Sequence, residues 1–429
     1  MITLAAFGCA HLGYAPKGLR RTLPDGTNVV TADGYTAYRT VMREVAELAT
    51  TTTDHPVAMI NCGDLAHKPN PSPADVSVAL DGDRLRVEAG VARFDIPGNH
   101  DRTSAAGVPA TAVMAAQPEC HVVAPRAAGT TDEPREDRQV IVDGLYEVWT
   151  LEDPADGTRA HLHLINEQAL APAASDMEPG VDPRPMGEGI NVLVTHGIIP
   201  AAEGLLYHHG GDERGGERVI PADWFNRGFT LAILGDLHSP MAGTDYGTPW
   251  FYTGSLVRRG FSDSECERGW FSVDFRSDGA FNIELHPVAQ RPAFDLTVDA
   301  EGMDAASASA AISAAVSSVP ESWQGSGDTG SIIRVTVVGS SPTVTEALTS
   351  QVAEMERNLA PGALSLRIRV TGVEDSITEV LETMPTFGDE TVAQALRRMA
   401  AEGTLPELEG LEPSEVAAIL DACESALPA

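Results

Sequence analysis

Residues able to bind metal ions and move protons recur along this chain in short groups. They are Cys9 and His11 in "FGCAHLG", Asp64 and His67 in "NCGDLAH", Asn99, His100 and Asp101 in "GNHD", His196 in "VTHG", and Asp236 and His238 in "GDLH". One histidine beside a strand is usually a satisfied core or surface residue. Five groups in series, each closing an apolar run, are not explained that way. Chemistry accounts for the residue types. Cleaving a phosphodiester needs a hydroxide nucleophile and neutralisation of phosphoryl charge, and two metal ions about 3.5–4 Å apart supply both. A carboxylate must bridge the ions. Neutral imidazoles and an amide complete their shells without cancelling their charge. A histidine outside the shells can face the scissile phosphate and protonate the leaving oxygen. On these grounds Asn99 ligates a metal, His100 contacts phosphate or donates the proton, and Asp101 orients a neighbouring histidine.

Such residues need strand ends to stand on. "ITLAAFG", "PVAMINCGDL", "VARFDIPGNHD", "NVLVTHGII", "FTLAILGDLH" and "WFYTGS" read as strands. "RQVIVDGLYEVWTLED" and "RAHLHLINE" read as antiparallel strands, and "GWFSVDFRSDGAFNIELHPV" as a hairpin about Ser-Asp-Gly. "GYTAYRTVMREVAELA" has helical spacing, and "GVPATAVMAAQ" is expected to be helical. Residues 168–189 are a loop rich in Pro, Gly and Asp. The mixture predicts a layered α/β sandwich over residues 1–290. A strand–helix–strand–helix–strand unit follows over 291–373, and 374–429 carries two short helices, "DETVAQALRRMAAEG" and "EPSEVAAILDACESAL".

The bulk properties narrow the classes. The chain has 429 residues, enough for two or three domains, and a formal net charge of −33. Such a charge keeps a protein soluble and repels polyanions at long range. Lysine occurs only at Lys17 and Lys68. Five scattered cysteines (Cys9, Cys62, Cys120, Cys266, Cys423) form no CxxC pair or disulfide framework, which points to a reducing compartment. The N-terminus lacks the basic region of a signal peptide, and no apolar run reaches membrane-span length. The expectation is a cytoplasmic protein without membrane attachment.

The order D-x-H, G-D, G-N-H-D, H, G-H-x-H is the signature of the calcineurin-like metallophosphoesterases, which this chain resembles. "HLGY", "GTNVVTADGYTAYRTVMREV", "GDLAHKPNPSPADV", "IPGNHD", "LGDLHSP" and "YTGSLVRRGFSDSECERGW" narrow the resemblance to SbcD-type DNA double-strand-break repair nucleases, the bacterial counterparts of the MRE nucleases. It runs through about residue 290. It implies a four-layer α/β/β/α sandwich, a small α+β capping domain over 291–373, and a helical tail over 374–429 that docks an ATPase partner. It also implies two divalent metal ions. Cys9, His11, Asp64 and His238 would hold the first, and Asp64 would bridge to the second, completed by Asn99, His196 and Asp236. His67 would help position substrate, and His100 would be the acid facing phosphate. The implied activity is that of a metal-dependent DNA nuclease, exonuclease on duplex ends and endonuclease on hairpins or single strands. Its implied partners are DNA, an SbcC-type coiled-coil ATPase and a second copy of the chain.

Two positions depart from the pattern. Cys9 stands where the family has aspartate, and Asp236 where it has the first histidine of GHxH. One reading is loss of catalysis, leaving a silent scaffold that binds DNA and the ATPase. The other is a retuned site, since thiolate and carboxylate both ligate. Manganese is the ion expected at the two positions, and thiolate at Cys9 favours zinc or iron there. A phosphodiesterase on a non-DNA substrate is a further alternative. Arg258 and Arg259 either meet a DNA phosphate or form a solvated pair. His208 and His209 are expected at the surface. His161 and His163 are expected to share a strand face without ligating, and the remaining cysteines to pack or lie exposed. The tail helices, through Val392, Leu396, Met399, Val416, Ile419 and Leu420, either dock the coiled coil or pack on the capping domain.

Overall fold

Strand β1 (Ile2–Phe7) is six buried residues, of which only Thr3 is polar. A segment buried on both faces belongs in the middle of a sheet, and the computed structural model places it there. The structure describes residues 1–372 other than 17, 18, 20, 103–107, 126–134, 173–176, 200–217, 262, 264, 265 and 320–329. The tail over 374–429, with both expected helices, and the histidines at 208 and 209 lie outside the described residues, as does Cys423.

The chain divides into two compact units, Met1–Pro292 and Ala293–Ala429. The first is mixed α/β and holds two large sheets. After β1 come helix α1 (Val29–Thr51), β2 (Val57–Asn61), helix α2 (Pro73–Glu88), β3 (Ala92–Asp95) and β4 (Cys120–Val122). Strands β5 (Arg138–Val142), β6 (Tyr146–Glu152), β7 (Arg159–Ile165), β8 (Ala171–Pro172), β9 (Ile190–His196), β10 (Arg218–Val219), β11 (Leu231–Gly235), β12 (Met241–Gly243), β13 (Trp250–Tyr252), β14 (Gly269–Phe275) and β15 (Phe281–Pro287) follow. The first sheet has the order β15-β14-β1-β2-β3-β4, and the second β12-β13-β11-β9-β7-β6-β5. Strands β1, β2, β3 and β4 run parallel, as do β7, β9, β11 and β13. Their C-terminal ends are where the metal-capable residues lie in the sequence.

One apolar cluster joins the facing sides of the two sheets, with Leu4, Ile60 and Phe94 from one and Leu162, Val192 and Ile233 from the other. A second packs α1 and α2 on the outer side of the first sheet through Tyr38, Val41, Met42 and Val78. On the outer side of the second sheet the described residues form 3-10 turns, Glu167–Ala169 and Ala222–Asn226, where a helical layer was expected. Residues Ala110–Ala116, expected as a helix, are also 3-10. Their β-extended caps and absence of a side-chain cap hydrogen bond leave one short turn with no anchored start.

Helix α2 has no apolar stripe by which the sequence would show it. Its buried positions include Asp75, Asp83 and Arg86 beside Val78, Ala79 and Gly82. Its start is written instead in the cap: Ser72 and Asp75 form a reciprocal capping box with Pro73 at the first turn.

The second unit contains β16 (Ala293–Asp299), α3 (Ala305–Ser317), β17 (Ile332–Ser340), α4 (Pro342–Asn358) and β18 (Ser365–Gly372). The three strands are parallel in the order β16-β17-β18 and share a core of Val298, Ile312, Val335, Val337 and Leu348.

Candidate metal centre

Beyond Phe7, β1 and β2 keep pairing: Cys9 N–H donates to Gly63 O and His11 N–H to Asp64 O, each at 2.9 Å. To do so the chain leaves extended geometry. Cys9, His11, Asp64 and Asp236 have φ of 46°, 44°, 55° and 103°. Only one other described non-glycine residue, Glu119, has positive φ. Such conformations cost about 1–3 kcal/mol each and persist where surrounding structure imposes them, often at functional sites. Glycine is required beside them. A Cβ at Gly98 would collide with the Asp64 carboxylate, and one at Gly63, itself at φ +99°, with the His196 ring.

Asp64 is the centre of the arrangement. Its Oδ2 lies 3.5 Å from His11 Nε2 and 3.5 Å from His196 Nε2. Its Oδ1 accepts the His100 backbone N–H at 2.9 Å. One carboxylate oxygen thus lies at equal distance from imidazoles carried by the two sheets. On the second-sheet side, His196 Nε2 lies 3.2 Å from Asn99 Oδ1 and 3.7 Å from Asp236 Oδ1. His196 Nδ1 donates to Cys62 O at 2.8 Å, which fixes the tautomer with Nε2 facing the carboxylates. On the other side, donor atoms of Cys9, His11 and His238 lie within 4.8 Å of one another, as do those of Cys9, Asp64 and His196 and those of His11, His67 and His100. Cys9, His11, Asp64, His196, Asp236 and His238 are buried, whereas His67, Asn99 and His100 are partly open to solvent.

The site fits cations. Neither ring nitrogen of His11 makes a hydrogen bond, although the side chain is 2% exposed. A buried imidazole without partners is costly, and a cation is the partner this donor set would accept. Burial, and then Arg259, push His11 well below the ordinary histidine range, so it carries a free lone pair. Burial and the Asp64 charge push the Cys9 thiol well up. Burial opposes the charge on Asp64, but His196 and His100 outweigh it and hold its carboxyl below the usual range. His196 is raised in turn by Asp64 and Asp236, against burial. A divalent ion would have to displace the protons of Cys9 and His196, and the thiolate, imidazoles, carboxylates and amide that result form a donor set for such ions.

The remaining expected residues fall as follows. Asp101 lies outside the donor set: its carboxylate accepts the backbone N–H groups of Leu65, Ala66 and Gly98, at 3.2, 2.9 and 3.1 Å. It therefore orients the loop that presents Asp64, where orientation of a histidine was expected. Burial and the Asp64 charge push it up to about 7. The His100 ring stacks on His67 with centroids 5.2 Å apart, and its Nδ1 donates to His67 O at 2.9 Å. Arg258 and Arg259 separate. Arg259 is buried, lies 5.4 Å from the Tyr14 ring, and acts electrostatically on Cys9, His11 and His67. Arg258 lies over Phe261 and donates Nε to Gly260 O. His163 is held between Tyr146 Oη at 2.7 Å and Asn191 Oδ1 at 2.9 Å, and His161 meets Thr150. Cys62 and Cys120 are buried and Cys266 exposed.

Sequence reasoning missed Asp263. Its carboxylate lies 3.4 Å from His238 Nδ1 and accepts the Arg259 N–H at 2.9 Å. Burial opposes the charge on Asp263, but the hydrogen bond and charge of His238, the Arg259 N–H and the Arg268 charge together hold it well below the usual carboxylate range. This contact turns His238 Nε2 toward the site. Arg268 was missed as well; it donates to His238 O and to Ser255 Oγ. Both lie in "SDSECERG", part of a stretch that carries the resemblance but in which no spacing singles them out.

No family model and no curated protein matches the chain. Solved structures similar to it include a putative 5′-nucleotidase from Staphylococcus aureus (12% identity, TM-score 0.33, 66% of this chain and 53% of that one). The match thus spans about half the length of the nucleotidase. A phosphopantetheinyl hydrolase from Mycobacterium tuberculosis matches at 14% identity and TM-score 0.29, over 59% of this chain and 90% of that one. A conserved predicted phosphoesterase from Streptococcus pneumoniae matches at 11% identity and TM-score 0.23, over 66% and 97%. No helix among the described residues is long and apolar enough to cross a membrane.

Proposed function

We propose that the chain is a two-metal phosphodiesterase acting on DNA, of the SbcD kind its motifs resemble. The observation that carries the enzymatic part is the position of Asp64 Oδ2 at 3.5 Å from both His11 and His196. The DNA substrate, the coiled-coil ATPase partner and pairing with a second copy rest on the motif series alone.

Cys9, His11, Asp64 and His238 would hold one ion, and Asp64, Asn99, His196 and Asp236 the other. Bound divalent ions would activate water and neutralise phosphoryl charge. Thiolate suits zinc or iron at the first position, and the oxygen-rich second suits manganese. The protein's own part is positioning and proton transfer. The backbone N–H of His100 holds Asp64, and Asp263 holds His238. His100 is partly open to solvent with its Nδ1 proton engaged, so Nε2 is the atom that meets the leaving oxygen. Buried Arg259 adds positive charge beside the centre, where the anionic transition state gains from it.

Departures at Cys9 and Asp236 favour a second reading, a silent scaffold. The net charge of −33 favours a third, a phosphodiesterase on a non-DNA substrate. End-labelled linear duplex incubated with Mn, Mg, Zn and Fe separately, with Asp64→Ala alongside, separates them. Metal-dependent cutting lost in the variant supports the nuclease. Hydrolysis of bis(p-nitrophenyl) phosphate without DNA cleavage supports the third reading. No hydrolysis of either, with or without the ATPase, supports the scaffold.

A further inference from the structure

Three histidines of the first sheet meet at the edge of the centre. They are His11, His67 and His100, one from each of the loops after β1, β2 and β3. Ring nitrogens of all three lie within 4.8 Å of one another. The His67 and His100 rings stack with centroids 5.2 Å apart, and His11 meets them edge-on at 5.7 and 4.7 Å. Backbone hydrogen bonds lock the first two loops together: Leu12 N–H donates to Leu65 O at 2.8 Å, and His67 N–H to Leu12 O at 2.9 Å. His100 Nδ1 donates to His67 O at 2.9 Å, which leaves Nε2 with the lone pair. His11 is 2% exposed, and neither of its ring nitrogens makes a hydrogen bond.

This group is made of first-sheet residues alone, whereas the two-ion centre also needs His196, Asp236 and His238 from the second. Its chemistry differs too. Three imidazoles with no carboxylate are a donor set for zinc, while manganese and magnesium prefer oxygen. A tetrahedral zinc ion about 2.0–2.1 Å from each nitrogen sets them about 3.3–3.4 Å apart, a short closure for a group in which His67 and His100 are partly open to solvent. The group brings no anionic ligand. Positive charge from Arg259 acts on His11 and His67, and that of Lys68 on His67. An ion here is therefore held more weakly than one at the centre, and it exchanges.

We propose that His11, His67 and His100 form a third cation site, selective for zinc and filled when zinc is in excess, whose occupation inhibits the enzyme. The inhibition rests on the phosphodiesterase function above; the site itself does not. A neutral imidazole has one lone pair. Zinc at the three histidines takes that of His11 from the first ion, which would keep Cys9, Asp64 and His238. It also covers His100 Nε2, the atom that meets the leaving oxygen.

Equilibrium dialysis against rising zinc chloride tests the site, because an ion held this loosely is lost on gel filtration. Wild type should bind two zinc ions and then a third. His67→Gln should weaken the third about a hundredfold and keep the other two. His67→Cys, which returns a zinc ligand, should restore it. Wild type that saturates at two ions, or His67→Gln that binds a third with unchanged affinity, would overturn the site. Inhibition is read on manganese-loaded protein hydrolysing bis(p-nitrophenyl) phosphate, each protein against its own zinc-free rate. Zinc should inhibit wild type at about a hundredfold lower concentration than His67→Gln. Equal sensitivity would overturn the inhibitory role. If wild type hydrolyses nothing, the phosphodiesterase function fails and the ion count decides the site alone. If wild type binds a single zinc ion, the two-ion centre fails. Loss of that ion in His67→Gln then supports the three-histidine site, and its retention overturns it.

Discussion

The first unit buries two clusters of charge, one behind its first sheet and one at the strand ends. Behind the sheet, Asp83, Arg86, Arg93 and Asp95 are all 0% exposed. Arg93 pairs with Asp95 at 2.7 and 2.8 Å and reaches Asp83 and Tyr38 Oη at 2.9 and 2.8 Å. Arg86 pairs with Asp83 at 3.0 and 2.7 Å and caps the Val91 and Pro118 carbonyls. Two cations balance two anions. The strand-end cluster is built otherwise. It gathers Asp64 and Asp236 beside a thiol, sets four of its members at positive φ, and leaves both ring nitrogens of His11 without a hydrogen bond. A polar cluster that completes itself serves the fold, and one that cannot is shaped for something from outside.

The two clusters should respond oppositely to loss of an aspartate. Asp64→Ala should abolish activity and cut the rise in melting temperature that divalent ions give wild type, about 2.7 kcal/mol per ion at a hundredfold excess over Kd. A calorimetric scan with and without ion reads this. Asp83→Ala should do the reverse. It leaves a buried arginine uncompensated and should cost about 3–5 kcal/mol in urea unfolding, with metal binding by the surviving folded protein intact. If Asp64→Ala is the more destabilising in metal-free protein, the distinction between the clusters fails.

Asp263→Asn loosens the hold on His238 and should weaken metal affinity about 10–100-fold, read by competition with a chelating dye. His163 is the closed counterpart of His11, with both ring nitrogens bonded. Burial pushes it down to about 4, against about 6.5 in the unfolded chain. Between those values the unfolded chain binds a proton that the folded chain excludes. Its contribution is complete above about pH 6.5 and falls away toward pH 4. His163→Gln should therefore flatten the acid side of the pH–stability curve by up to one proton.

Most of the strand-end residues were legible because each closes an apolar run: Asp64 after "VAMIN", Asn99 after "ARFDIP", His196 within "NVLVTH". The parallel strands that gather them follow from runs buried on both faces. Helix α2 was not legible by periodicity, because its buried face carries the Asp83–Arg86 pair in place of apolar residues. Asp263 was hidden for another reason. It is one carboxylate in a polar segment, and its role depends on His238 lying beside it. Arg258 and Arg259 look alike in sequence, yet the turn places one at the centre and the other against Phe261.

If the strand ends form one two-ion centre bridged by Asp64, elemental analysis of metal-reconstituted, gel-filtered protein will count the ions. Wild type should carry two divalent ions per chain, and Asp64→Ala no more than one. Wild type with none, or a variant that keeps both, would contradict it.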